Sequence, residues 1–235
     1  MLRLTPYGTR ELVAGTVLLL AVAAVLGWLW WPLSLLALPV FVWLLAFFRD
    51  PVRVIPTEPG VMVSPADGTV SDITEIENDP RLGGPAVRIG IFLSVFNVHV
   101  NRCPCDARVL SVTYNKGKFI NAMKHHEASE FNENNTVVLA DPQTGVPIAI
   151  VRQIVGLIAR RVVFPNKVGD VLRRGEHIGM MKFGSRTELY VPRSAQPLVL
   201  VKVGQKVSGG SDIIVRLGKA SAVRSGLAAM SGADA

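Results

Sequence analysis

A long apolar stretch near the N-terminus limits what this chain can fold into. The sequence contains no charged residue between Glu11 and Arg49. Leu12 to Trp31 supplies the roughly 20 apolar residues that a helix needs to cross a bilayer, and Pro32 to Phe48 supplies about 17 more. The proline between the two segments ends the first helix, and the tryptophans before it are typical of the lipid–water interface. The stretch therefore predicts a membrane-anchoring helical hairpin, either spanning the bilayer or lying in its interface.

The charges that flank this hairpin predict its orientation. Arg3 and Arg10 precede it, and Arg49 and Arg53 follow it. Under the positive-inside rule both ends lie on the cytoplasmic side, so the rest of the chain is expected at the cytoplasmic face of the cell membrane. A cleaved signal peptide is the competing interpretation, but the apolar run is too long and lacks a small-residue cleavage site.

The sequence pattern changes after Pro51 to short runs rich in β-formers, separated by Gly, Pro, Asn and Asp. Val87 to Leu93, Ala107 to Tyr114 and Ile148 to Ile154 are examples. We therefore predict a mostly β (α+β) fold with an antiparallel β-sandwich as its main domain. Three segments follow: the hairpin at 1–50, the β domain at 51–218 and a disordered tail at 219–235.

A weak internal repeat supports the sandwich. Val168 to Gly175 resembles Val203 to Gly210, and each is followed by an apolar run. Two such hairpins, with Ser64 to Val70 upstream, resemble the β-sandwich of biotinyl and lipoyl carrier domains.

Charge and cysteine content exclude some classes of partner. The formal charge is +7, but Lys and Arg are spread along the chain without a recognisable nucleic-acid module. Anionic membrane lipid is the better partner, and one basic cluster beside the hairpin would attract it. The members of that cluster are Arg160, Arg161, Lys167, Arg173 and Arg174. Cys103 and Cys105 are expected to be reduced, and with His99 as the only nearby ligand they do not predict a metal site.

The segment Met181 to Pro192 carries the most specific signal, because it contains the dipeptide Gly184-Ser185. Other blocks accompany it in a characteristic order: Ser64 to Gly68, Phe92 to Ser94, Asn97 to Arg102, Glu130 to Asn135 and Gly156 to Arg161. Together they resemble the phosphatidylserine decarboxylase proenzymes of the short-chain, pyruvoyl-dependent branch, over roughly residues 49–218.

The resemblance implies a function and a cofactor. A chain of this family cuts itself between Gly184 and Ser185 and converts Ser185 into a covalent pyruvoyl group. The pyruvoyl ketone then accepts electrons as CO2 leaves phosphatidylserine, which gives phosphatidylethanolamine without a metal or a diffusible cofactor. The two pieces, 1–184 and 185–235, are expected to remain associated.

The chemistry explains why a Gly-Ser bond is suited to this cleavage. Glycine adds no side chain and tolerates strained backbone, so the Ser185 hydroxyl can reach the Gly184 carbonyl. A hydroxyl needs a base, and His99 is the first candidate because imidazole titrates near neutral pH. The resemblance suggests that Asp67 orients His99 in a Ser-His-Asp-like relay. Alternatively, Asp67 stabilises the turn before Gly68 and His99 is an ordinary strand histidine.

The chain departs from the longer bacterial and mitochondrial branch in one respect. That branch has His-x-x-His, whereas this chain reads His99-Val100-Asn101-Arg102. The sequence therefore leaves open whether His99 serves cleavage, decarboxylation or both, and whether His125 or His126 contributes.

Two arginines are candidate substrate ligands. The guanidinium groups of Arg102 and Arg186 match the geometry of a phosphate or carboxylate, although both residues are equally compatible with ordinary surface charge.

Other functions remain open at this level. Met181-Lys182-Phe183 resembles the attachment turn of biotin and lipoyl carriers, which would make Lys182 an acylated residue in a membrane-tethered carrier. A noncatalytic membrane adaptor is the third interpretation. The sequence does not decide between phosphatidyl and ether-linked archaetidyl substrates, nor whether the chain forms a homo-oligomer.

Overall fold

The computed structural model describes residues 3–157, 162–182 and 184–218 of the 235-residue chain. Its α-helices are α1 (Thr9–Leu29), α2 (Ala37–Phe47) and α3 (His125–Phe131), with 3-10 turns at Pro6–Gly8, Trp31–Leu36 and Arg193–Ala195. Its strands are β1 (Val61–Val63), β2 (Gly68–Asp79), β3 (Gly84–Leu93), β4 (Val100–Arg102), β5 (Ala107–Asn115), β6 (Asn134–Ala140), β7 (Pro147–Val155), β8 (Val162–Val163), β9 (Val171–Leu172), β10 (His177–Met181), β11 (Ser185–Pro192), β12 (Leu198–Val199), β13 (Lys206–Val207) and β14 (Ile213–Arg216).

The N-terminal hairpin consists of α1 and α2, joined by the 3-10 turn that contains Pro32. The helical segment Pro6–Leu29 is long and apolar enough to cross a membrane, whereas Trp31–Phe47 is shorter. Gly15 of α1 packs against Leu44 of α2, where a Cβ would lie 3.0 Å from the leucine side chain. The prediction of an apolar helical segment at the N-terminus is therefore confirmed.

The base of this hairpin is held together by main-chain hydrogen bonds. The N–H of Thr5 donates to the carbonyl of Phe48 at 2.9 Å, and the N–H of Asp50 donates to the carbonyl of Arg3 at 2.7 Å. Phe47 and Phe48 are buried and pack with Leu44 and Met180, a residue of β10. The hairpin is thus joined to the β domain by an apolar contact as well as by the chain.

The β domain is dominated by one curled, antiparallel sheet of eight strands in the order β13-β2-β3-β11-β7-β6-β5-β9. Two three-stranded sheets, β1-β14-β12 and β4-β10-β8, complete the described strands. The main apolar core includes residues from all three sheets. A mostly β, antiparallel fold was predicted and is confirmed, whereas a relationship to biotinyl and lipoyl sandwiches stays a prediction.

Strand β11 lies in the centre of the large sheet, between β3 and β7. Its first residue, Ser185, pairs with Leu93 of β3 and Val155 of β7. Because side chains alternate along a strand, Ser185 shares a face with Leu189, which packs in the main core, while Arg186 and Glu188 project to the other face. The sheet thereby fixes the direction of both the serine hydroxyl and the arginine beside it.

The predicted tail, residues 219–235, lies outside the described residues. The same is true of Arg160 and Arg161 in the predicted basic cluster, and of Phe183 beside the cleavage dipeptide.

Candidate active site

The dipeptide Gly184-Ser185 lies at the point where the connection from β10 enters β11. Gly184 has a φ of 62°, in the left-handed region that is favourable for glycine and strained for other residues. The Ser185 side chain is fully buried, and its Oγ has no hydrogen-bond partner among the described residues. An unpaired buried hydroxyl is costly in a folded protein, and such costs concentrate at functional sites. The geometry therefore leaves the Ser185 hydroxyl available for reaction.

Gly156, which follows β7, contacts the carbonyl of Gly184. A Cβ at position 156 would lie 2.1 Å from the Gly184 oxygen and 3.3 Å from the Cβ of Ala122. Only a residue without a side chain permits this close approach of the two segments. Gly156 thus fixes where the carbonyl at the candidate cleavage bond can lie.

His99 contacts the main-chain N–H of Gly184 and is completely buried. Its Nε2 accepts a hydrogen bond from the Gly184 N–H at 3.2 Å, which requires the proton on the other ring nitrogen. Accordingly, Nδ1 donates to the main-chain carbonyl of Asn97 at 2.9 Å. The ring of Phe47, from the base of the hairpin, lies 4.5 Å from the imidazole centroid. His99 is therefore oriented by two main-chain groups and covered by the base of the hairpin.

The environment of His99 keeps the imidazole neutral. Burial lowers its pKa from 6.5 to about 4, and the positive charge of Arg49 acts in the same direction, while the hydrogen bond to Asn97 opposes the change. A neutral imidazole at physiological pH has a lone pair on Nε2 that can accept a proton.

Asp67 is near this region but does not contact His99 in this structure. Its carboxylate pairs with Arg53 at 2.7 Å and accepts a hydrogen bond from the Gly209 N–H at 2.8 Å. Burial raises the pKa of Asp67, and the charge of Arg53 partly offsets that effect. The relay expected between Asp67 and His99 is thus not formed here, because a main-chain carbonyl occupies the position that the carboxylate would take.

The two arginines predicted to bind substrate both have internal partners. Arg102 pairs with Asp50 at 2.7 Å and also donates to the carbonyl of Gly175 at 3.0 Å. Arg186 is fully buried and contacts Asp72 at 2.6 Å and Glu188 at 3.0 Å. A substrate contact at either residue stays a prediction, and it would require these ion pairs to open.

Glu188 is the centre of a charged cluster that the sequence did not reveal. Its buried carboxylate lies 3.8 Å from Arg88 and 3.7 Å from Arg152 and accepts a hydrogen bond from Ser129 of α3 at 2.6 Å. Burial opposes its ionisation, but Arg186 and its other partners hold the pKa of Glu188 below the usual value. The cluster ties α3 to the strand that begins at Ser185.

A second group missed by sequence reasoning is a row of buried amides on the core face. Asn101 donates to the Thr187 hydroxyl at 3.1 Å and accepts from Gln153 at 2.8 Å, and Gln153 accepts from Asn135 at 3.1 Å. Asn101 directly precedes Arg102, the residue that stands where the longer branch has its second histidine. The amides of Asn101, Gln153 and Asn135 form a hydrogen-bonded network beside β11.

Lys182 does not have the exposure that a carrier lysine requires. Its side chain is only 6% exposed, and its Nζ lies 2.6 Å from Glu11 of α1. An acyl group could reach this amine only if the hairpin separated from the β domain.

The cysteines and two further histidines lie outside the contacts described for Gly184 and Ser185, and a contribution of His125 or His126 stays a prediction. Cys103 and Cys105 are free and buried, and burial raises the pKa of both thiols. No group of three or more metal-ligating side chains occurs among the described residues. His125 and His126 begin α3, and none of the hydrogen bonds or ion pairs of the described residues joins either ring to Gly184 or Ser185.

A cavity of about 410 Å³ lies beside the site. It is lined by Asp67, Ser94, Phe96, Asn97 and Lys206, among others. Asn97, whose carbonyl orients His99, therefore links this cavity to the buried histidine.

Sequence comparisons relate this chain to known proteins. Residues 40–215 match the sequence profile of the phosphatidylserine decarboxylase family. A phosphatidylserine decarboxylase proenzyme from Rhodopirellula baltica is 47% identical over 209 residues, which cover 89% of this chain and 86% of the relative. Proteins of the same name from Carboxydothermus hydrogenoformans and Cupriavidus pinatubonensis are 47% and 43% identical, over 84% and 80% of this chain and 91% and 83% of their own lengths.

Proposed function

Because this chain belongs to the phosphatidylserine decarboxylase family, we propose that it converts phosphatidylserine to phosphatidylethanolamine and CO2 with a pyruvoyl group made from Ser185. The observation that carries this proposal is the buried, unpaired Oγ of Ser185 directly after a glycine with a φ of 62°. Residues 51–218 form the catalytic unit in this proposal, and residues 1–50 form its anchor.

The first reaction is cleavage of the chain by its own serine. The Ser185 Oγ attacks the carbonyl carbon of Gly184, the amide C–N bond breaks, and the Ser185 nitrogen takes up the hydroxyl proton. Removal of the Ser185 Cα proton then breaks the Cβ–Oγ bond, and Gly184 leaves as the carboxylate that ends the upstream chain. The remaining dehydroalanine tautomerises, and water replaces its nitrogen, which departs as ammonia. The downstream chain, residues 185–235, then begins with the pyruvoyl group.

We assign His99 the proton transfers of this cleavage. Its Nε2 is unprotonated and accepts a hydrogen bond at 3.2 Å from the N–H of Gly184, the residue whose carbonyl group forms the scissile bond. Cleavage requires Nε2 to exchange this N–H for the hydroxyl of Ser185, whose Oγ has no competing partner among the described residues. The carbonyl of Asn97, rather than Asp67, holds the ring in the required tautomer.

Burial and ion pairing would hold the new N-terminal residue in place after cleavage. The pyruvoyl ketone supplies an electron sink for the substrate as CO2 departs. Arg186, fixed by Asp72 and Glu188, anchors the adjacent residue on the opposite face of β11. Since β11 pairs on both sides with strands of the upstream piece, we expect the two pieces to remain associated.

The hairpin supports a membrane location for this reaction. The apolar segment Pro6–Leu29 suits a bilayer, and the substrate of the relatives is a membrane lipid by their name. The arginines at both ends of the hairpin favour the cytoplasmic side for the catalytic unit. Phosphatidylserine and anionic lipid are the partners in this proposal.

Denaturing mass spectrometry of the purified chain tests the proposal most directly. We expect two pieces that meet between residues 184 and 185, whereas Ser185→Ala should remain one chain. The processed protein should release CO2 from phosphatidylserine without added pyridoxal phosphate, and borohydride with substrate should attach the lipid to the 185–235 piece. Cleavage of the Ser185→Ala chain at the same bond would show that Ser185 is not the nucleophile. An intact chain acylated on Lys182 would instead support a carrier.

A further inference from the structure

The two ends of the large sheet differ in the side chains that they expose. At the end where Ser185 lies, the connections after β3, β5 and β7 carry Phe96, Met123 and Leu157, which are 71%, 63% and 62% exposed. The opposite end is formed by residues 80–83, 141–146 and 193–197. Among the described residues of those three connections, Val146 is the one large apolar side chain that is exposed. Among these connections, exposed large apolar side chains are thus more numerous beside the candidate cleavage bond, and Val168, Val171 and Leu198 are exposed elsewhere on the β domain.

These connections are continuous with the base of the hairpin. Arg49, at the end of the hairpin, donates to the main-chain carbonyl of Phe96 at 2.8 Å. Ala122 lies against Gly156, which contacts the Gly184 carbonyl, so the connection that carries Met123 borders the same carbonyl. The hairpin and the exposed apolar residues therefore lie at one end of the β domain.

We propose that this end of the sheet rests on the lipid bilayer, with Phe96, Met123 and Leu157 in contact with lipid around the Gly184-Ser185 bond. Large apolar side chains concentrated on one surface mark a protein or membrane contact. A bilayer is the occupant that fits, because an apolar hairpin leaves the domain at the same place. The purpose of this contact depends on the proposed function. Under that function, a lipid headgroup reaches Ser185 while the lipid tails stay in the membrane.

The proposed contact is made by apolar side chains, and lysines lie beside it. The β5–β6 connection includes Lys116, Lys118 and Lys124, of which Lys124 is offset by Glu127 at 3.3 Å. The apolar contact should therefore be detectable on neutral phosphatidylcholine, and anionic lipid should strengthen it through the lysines in a salt-dependent way.

A fluorescent reporter tests this contact without relying on turnover. Met123→Cys in the full-length Ser185→Ala chain can be labelled selectively with an environment-sensitive dye, since Cys103 and Cys105 are buried and their thiol pKa values are raised. In phosphatidylcholine vesicles we expect blue-shifted emission and quenching by lipids that carry a shallow spin label. The same dye at Val146→Cys, at the opposite end of the sheet, should keep the emission that it has in water.

Two results would overturn the proposal. One is water-like emission at both positions in vesicles. The other is a Met123→Cys shift that appears in detergent with rising protein concentration and without lipid, which would assign the surface to a second copy of the chain. Because the reporter chain is uncleaved, either result leaves the proposed decarboxylation standing.

A kinetic measurement on the processed enzyme provides an independent check. Met123→Ser with Leu157→Ser should raise the KM for phosphatidylserine in vesicles several-fold and leave turnover of a short-chain, monomeric phosphatidylserine unchanged. An equal loss on both substrates, or no loss on either, would contradict the contact.

Discussion

The Nε2 atom of His99 accepts a hydrogen bond from the main-chain N–H of Gly184 at 3.2 Å. The proposed base and the proposed scissile segment are therefore in direct contact in the uncut chain. The contact involves the residue preceding the bond rather than the Ser185 hydroxyl, whose Oγ lacks a partner among the described residues. In the proposed mechanism, Nε2 of His99 exchanges the Gly184 N–H for the Ser185 hydroxyl before cleavage.

His99 should make the stability of the uncut chain depend on pH. Its pKa is about 4 in the folded chain and 6.5 when exposed, so between these values the unfolded chain binds a proton that the folded chain does not. Stability is then unaffected by this group above about pH 6.5 and falls as the pH drops towards 4, by on the order of 3 kcal/mol in total. Denaturant unfolding of Ser185→Ala, with and without His99→Gln, measures the difference. Identical pH profiles for the two chains would contradict a buried neutral His99.

Gly156→Ala should slow self-cleavage sharply. The added Cβ would lie 2.1 Å from the Gly184 oxygen, so the scissile carbonyl must move away from the Ser185 hydroxyl. We expect at least a tenfold slower appearance of the two pieces, since misplacing a reacting group by about 1 Å can cost 100-fold. Gly145→Ala is the matched control: its φ of 71° makes alanine strained, but nothing lies within 4 Å of the new Cβ. Equal slowing in both variants would indicate a general loss of stability.

The N-terminal apolar helix and the mostly β domain were predictable from the sequence, because each depends on a local pattern: a run of apolar residues and the alternation within strands. The dipeptide Gly184-Ser185 was singled out by the family blocks around it, and its reactivity stays a prediction. The partners of Arg102 and Arg186 were not predictable in this way. Asp50 and Asp72 lie 52 and 114 residues away in the chain and become neighbours only when the sheets form. The orientation of His99 was also missed, because its partner is a main-chain carbonyl that no side-chain pattern reveals.

Arg186→Lys tests whether this arginine is structural or binds substrate. The guanidinium group holds Asp72 and Glu188 at once, and an ammonium group cannot reproduce both contacts. Because Glu188 is fully buried, we expect a loss of about 2–4 kcal/mol in unfolding free energy. Arg193→Lys, at an exposed ion pair with Glu75, should change stability by less than about 0.5 kcal/mol. A higher KM with unchanged stability would instead support the substrate contact predicted from the sequence.

The topology of the anchor can be tested in intact cells. If the positive-inside rule holds for the flanking arginines, protease added outside should leave residues 51–218 uncut until the cells are lysed. Digestion of this region without lysis would place it on the outer face.

The ion pair between Glu11 and Lys182 couples the anchor to the cleavage segment, and a double-mutant cycle can measure it. Lys182 lies two residues before Gly184, its side chain is 6% exposed, and its Nζ is 2.6 Å from the Glu11 carboxylate. Glu11→Gln would leave a buried ammonium without its counter-charge, so we expect a loss on the order of 2 kcal/mol and slower cleavage. Lys182→Met removes the buried charge itself and should cost less, because Glu11 is 31% exposed and can be hydrated. The double variant should then resemble Lys182→Met alone, since the harm done by Glu11→Gln depends on the ammonium. Additive effects on stability and cleavage rate would mean that the two residues act independently, and the hairpin would then be a tether without influence on the site.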